Sequence, residues 1–373
     1  MAPPLWKHCP CGIKIQKNEN QHLWLAVVQK NLEPFTKLRS LGKDINPAKI
    51  CGCTPYHMAA NLGLEKMFSF FFKNIYEKNP QNNLGCTPLH LAAGKGSFSI
   101  CEELVNWLQE NLRDPNPRCN KGLSPLYKAA RTGHLTIVDF FCNTLKLQNP
   151  RIHDELGHVL HIAARYGHAP IVNSMLESLD NGNRNPASSD DGMTPLHFAA
   201  MGGKLEVLEL FLKYAVDINV KDINGHTALY HAAMQGHMAA CRCLSGSMPF
   251  SKANNGCTPL HAVAHDGDVD IFNVLWQRGQ DINPKNEDGD TPLHLAAQTG
   301  QLKMFQYIFR KTTERNPGNK KKNTPLHIAS ENGQKLIVLF IIKNIGNIHP
   351  KNDSEETPKD VAANEDISCL FNE

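Results

Sequence analysis

Thr291-Pro292-Leu293-His294-Leu295-Ala296-Ala297 is the stretch whose reading decides the fold, because its wording returns along almost the whole chain. Locally it is a helix start. The Thr291 hydroxyl suits the free N–H groups of a first turn, and Pro292 suits the first helical position, where its missing N–H costs nothing. Leu293, Ala296 and Ala297 form an apolar stripe at helical spacing, and Gly300 three residues on fits a left-handed helix end. A helix of about two turns is too short to stand alone. Its small alanines let another backbone come close, so it must lie against neighbours.

Those neighbours are copies of itself. The phrase begins at Thr54 (TPYHMAA), Thr87 (TPLHLAA), Ser124 (SPLYKAA), His158 (HVLHIAA), Thr194 (TPLHFAA), Thr227 (TALYHAA), Thr258 (TPLHAVA), Thr291, Thr324 (TPLHIAS) and Thr357 (TPKDVAA). Successive steps are 33, 37, 34, 36, 33, 31, 33, 33 and 33 residues. A near-constant period of this size signals a solenoid, in which each repeat buries its apolar face only against the repeats beside it.

The period and the T-P-L-H-x-A-A wording resemble the ankyrin-repeat family over roughly residues 20–373. The resemblance implies an all-α solenoid of stacked helix-turn-helix units with β-hairpin or turn fingers, curved so that fingers and first helices line a concave face. It also implies a protein-interaction module without catalytic activity. For the fourth position of the phrase it implies a structural histidine that bonds the capping threonine and the next finger, as with Thr87 and His90, Thr194 and His197, Thr291 and His294, and Thr324 and His327.

Composition leaves few other classes open. The net charge of +3, from 39 basic and 36 acidic residues, makes no whole-chain case for nucleic acid or a membrane surface. Apolar runs such as Leu336–Ile342 fall far short of the ~20 residues a bilayer span needs. No secretory leader is evident in MAPPLWKHCPCG, and the twelve cysteines are irregularly placed, so no disulfide framework is indicated. The expected compartment is the cytoplasm or nucleus.

Along the chain, residues 1–19 lack the register and read as a tail, followed by an N-terminal cap at 20–43, repeats at about 44–348 and a C-terminal cap at about 349–373. Long steps place extra residues after Trp107 and Leu179, between a second helix and the next finger. At His158 the Thr-Pro start is lost, which predicts a weaker repeat. The repeat at Thr227 has a short step and a poor second helix, HMAACRCLSGSM, which predicts a flexible junction at 245–253.

No G-x-x-x-x-G-K-[ST], H-E-x-x-H or G-x-S-x-G is present, and no catalytic, cofactor-binding or metal-ligating residue is assigned. Cys9 and Cys11 lack a second pair at ligand spacing, so zinc there is set aside; a metal-dependent enzyme would have to use them or Cys51 and Cys53. The resemblance places recognition on the fingers and on the residues just before each helix-ending glycine. There Lys95, Lys128, Arg131, Arg165 and Tyr166 cluster in consecutive repeats. Basic and aromatic side chains are favoured interface anchors, so the expected partner is a protein with an acidic or phosphorylated segment. The resulting expectation is a scaffold or adaptor. The rival is a cytosolic ankyrin region related to a membrane protein, such as a cation channel of the transient-receptor-potential type.

Overall fold

A computed structural model of the chain describes residues 21–48, 51–145, 155–178, 184–187, 191–246, 251–276 and 281–372. The residues divide into two compact units, Met1–Asn183 and Arg184–Glu373. Both are helical, with no strand among the described residues. The tail at 1–19 and residues 247–250 of the expected junction lie outside the described residues.

In the first unit, the helix Gln21–Val28 buries Trp24 and packs on Pro55–Leu62. Then come the first helices Pro55–Leu62, Pro88–Lys95, Pro125–Thr132 and Glu155–Tyr166, each against the next. The second helices Glu65–Asn74, Phe98–Glu110, Leu135–Thr144 and Ala169–Ser178 form a parallel row in the same way. The alanine pairs allow this spacing: Ala92, Ala93, Ala129 and Ala130 are wholly buried. Larger side chains fill the gap between rows, among them Phe68, Phe71, Leu104 and Phe141.

The second unit repeats the plan. Its first helices are Pro195–Met201, Ala228–Met234, Pro259–Asp266, Pro292–Thr299 and Pro325–Glu331. Its second helices run from Leu205–Lys213 to Lys335–Asn344, with Phe211, Phe272 and Phe305 buried among them. At the end, a 3-10 turn at Cys369–Phe371 packs on Lys335–Asn344 and buries Phe371.

Fingers are tight turns joined edge to edge. In one, the Asn82 N–H donates to the Cys86 carbonyl at 3.0 Å, while the next finger's Asn120 N–H donates to the Leu84 carbonyl at 3.0 Å. Gly85 between them has φ +71°, and a Cβ there would lie 2.7 Å from the Asn120 nitrogen. Glycine meets both demands, since it alone enters the left-handed region without cost and leaves room for the neighbouring backbone.

Three details differ from expectation. At His158, where no proline bars earlier residues from helix, the first helix starts upstream and runs from Glu155 to Tyr166, 12 residues instead of 8. After Trp107 the extra residues first lengthen the second helix, which continues to Glu110 before the chain loops away. After Thr357 residues 358–361 form turns instead of a first helix. There Asp360 takes the histidine's place and accepts from the Thr357 hydroxyl at 2.7 Å and its N–H at 2.8 Å. With Lys359 in place of leucine, Pro358 is the one buried residue of that segment.

Candidate functional site: the first-helix face and the finger network

Six histidines of the repeated phrase hold the frame together. Each sits at the third helical position and closes a capping box with its threonine, as at Thr87 and His90, Thr194 and His197, Thr291 and His294, and Thr324 and His327. His57 and His261 do the same with Thr54 and Thr258. At His90 the Thr87 N–H donates to Nδ1 at 3.1 Å and the Thr87 hydroxyl lies 2.9 Å from it. The other ring nitrogen, Nε2, donates to the Leu123 carbonyl of the next finger at 3.0 Å. His197, His294 and His327 reach the carbonyls of His226, Asn323 and Glu356 at 3.1, 3.0 and 3.1 Å.

With Nε2 donating and Nδ1 accepting, these partners assign the neutral imidazole. Burial opposes charging it and lowers the pKa of His57, His90, His197 and His261 from 6.5 to about 4. His294 and His327 are lowered for the same first reason. Rings held neutral and filled with hydrogen bonds at both nitrogens are frame members. Tyr127 and Tyr230, which replace histidine in their repeats, keep the threonine or serine cap through their backbone N–H.

The basic and aromatic set lies in the first unit on consecutive first helices. Arg131, Arg165 and Tyr166 are exposed near the ends of Pro125–Thr132 and Glu155–Tyr166, and the Arg131 guanidinium lies 5.4 Å from the Tyr166 ring centre. Tyr127 stands beside them: burial raises its pKa, against the charges of Arg131 and Arg165, which lower it. Lys95 is exposed, while Lys128 is half-buried and directs Nζ to the Cys86 sulfur at 3.3 Å. Lys128 therefore faces the finger and Arg131 faces outward. No carboxylate pairs with Lys95, Lys128 or Arg131 among the described residues.

A third grouping leaves little trace in the sequence. In the second unit the Asp222 carboxylate, the His226 Nδ1 and the His231 Nε2 converge, all within 4.8 Å of one another. Its only linear sign is the spacing Asp-x3-His-x4-His, split between a finger and a first helix.

A family model described as ankyrin repeats in three copies matches overlapping windows at residues 23–114, 57–154, 101–186, 160–251, 202–286, 240–319 and 260–353. Among curated proteins, the chain is 38% identical over 85 residues to a probable E3 ubiquitin-protein ligase of Oryza sativa subsp. japonica, covering 22% of this chain and 16% of that protein. It is 30% identical over 143 residues to the nuclear factor NF-kappa-B p105 subunit of Gallus gallus, covering 37% and 14%. It is 27% identical over 148 residues to the transient receptor potential cation channel subfamily A member 1 of Homo sapiens, covering 37% and 13%. The matches thus span less than a fifth of each relative. The solved structure of the Bcl-3 ankyrin repeat domain superposes with a TM-score of 0.50 at 24% identity, over 57% of this chain and 97% of that one. It shares the fold. No helix among the described residues is long and apolar enough to cross a membrane.

Proposed function

The chain belongs to the ankyrin-repeat family, and from that premise we propose that it is a non-enzymatic scaffold or adaptor that binds partner proteins along its first helices. The observation that supports this is the set on the first unit: Arg131 stacked on Tyr166, with Arg165 and Lys95 also exposed. A guanidinium stacked on a ring is already ordered, so less side-chain entropy is lost when it receives a carboxylate or phosphate. The partner it fits is an acidic or phosphorylated protein segment. Six of the eighteen histidines, His57, His90, His197, His261, His294 and His327, are taken up by the caps and fingers.

The test is charge reversal. Arg131→Glu combined with Arg165→Glu is expected to weaken acidic partner segments at least tenfold, about 1.4 kcal/mol or more. Both residues are exposed, so the thermal midpoint should hold. Acidic segments that bind the double variant as well as the parent would remove this reading.

A further inference from the structure

We propose that Asp222, His226 and His231 form a binding site for one divalent cation of the zinc class, clamping a finger to the first helix that follows it. The His231 Nε2 lies 2.9 Å from the Asp222 Oδ2 and the His226 Nδ1 lies 3.6 Å from it. Tetrahedral zinc with ligands at ~2.0–2.1 Å sets its ligand atoms about 3.3 Å apart. The two observed gaps bracket that spacing.

The three side chains are also held in place by other groups. The second carboxylate oxygen of Asp222 accepts the N–H groups of Asn224 at 2.9 Å and His226 at 2.8 Å, which aims Oδ2 at the imidazoles. The His226 ring stacks on Tyr230, with centres 4.1 Å apart and planes 8° from parallel. The His231 ring stands perpendicular to the His226 ring, 5.5 Å away. Such outer contacts orient metal ligands. Asp222 and His231 are buried, whereas His226 is half-buried and leaves a side open for water as a further ligand.

Other repeats show that the turn itself needs no charge here. Asn82, Asn286 and Asn319 occupy the same finger position, and each accepts the same two backbone N–H groups through its amide oxygen. Their amide nitrogen reaches back to the preceding finger, to Cys53, Cys257 and Asp290 respectively. At Asp222 the corresponding residue of the preceding finger is Met193, a poor partner. A carboxylate replaces the amide, and its spare oxygen faces two imidazoles instead. On binding, zinc takes the place of the hydrogen that His231 shares with Oδ2, and the neutral imidazole carries its one N–H on Nδ1 instead. The clamp would reinforce the repeat with the shortest step, 31 residues, and a second helix of only 7.

Asp222→Asn keeps the turn and removes the charge, which makes it the discriminating variant. Untagged, chelator-treated full chain is titrated with Co2+, followed by absorption, and then with Zn2+. The proposal expects one equivalent of Co2+ with ligand-field absorption and no thiolate charge-transfer band, displaced by Zn2+. Asp222→Asn and the peripheral His226→Gln should each weaken it at least tenfold while melting as the parent does without metal. Zn2+ should raise the midpoint of the parent alone. Absence of a nitrogen and oxygen Co2+ site, absorption arising only from cysteine thiolates, or undiminished binding by Asp222→Asn would each overturn it.

Discussion

Acidification from pH 7.5 to 4.5 is expected to unfold the array, with thermal midpoints falling steeply once the pH drops below about 6.5. The sign follows from the buried histidines. His57, His90, His197 and His261 have pKa values of about 4 in the folded chain against 6.5 as ordinary imidazoles. Between those limits the unfolded chain binds the extra protons, so stability is full above 6.5 and is lost as the pH falls towards 4. Each such group contributes about 1.4 kcal/mol per pH unit inside the window. The second unit holds two of the four, and also His294 and His327, which shift the same way, so it should yield first. Circular dichroism melts across that range test this. A flat profile down to pH 4.5 would contradict the neutral, doubly bonded imidazoles.

His90→Ala is expected to be the most damaging single truncation of this network in the first unit. His90 is wholly buried; without it the Thr87 N–H loses its acceptor, and the Leu123 carbonyl loses the donor from the neighbouring repeat and keeps only the Cys119 N–H. An unsatisfied buried group costs about 1–3 kcal/mol, and the space left by the ring adds to this, for a loss of at least about 3 kcal/mol. Because the bond to Leu123 joins one repeat to the next, the effect should spread to the finger at Cys119–Leu123. Urea unfolding measures the loss, and hydrogen exchange at the Asn120 N–H reports the spread. A change under about 1 kcal/mol would mean that the imidazole is a filler instead of a tie.

The frame was legible in the sequence because its chemistry is local and repeated. Thr87, Pro88 and His90 act within one helical turn, and the alanine stripe and closing glycine follow from helical period, so each repeat confirms the reading of the others. Departures were harder to read. Replacing Thr-Pro by His158-Val159 removes a cap, but it also removes the barrier to earlier helix, and the second effect decides where that helix starts. The break in the period makes Leu108–Glu110 read as loop, yet Leu108 is buried and carries the helix on. Spacing alone groups Lys128 with Arg131, although the Lys128 ammonium turns to Cys86. The Asp222 grouping was hidden because finger residues vary between repeats, so nothing in the period sets Asp222 and His231 against each other.

Docking on the first helices of the Met1–Asn183 unit is the central functional claim, and hydrogen exchange on a bound complex tests it most directly. An acidic peptide selected on the chain from a random display library would serve as the ligand, with amide exchange compared in its presence and absence. Protection is predicted near the ends of Pro88–Lys95, Pro125–Thr132 and Glu155–Tyr166, where Lys95, Arg131, Arg165 and Tyr166 lie, with exchange unchanged in Phe98–Glu110 and Leu135–Thr144. Protection confined to those second helices, or to the Arg184–Glu373 unit, would contradict it.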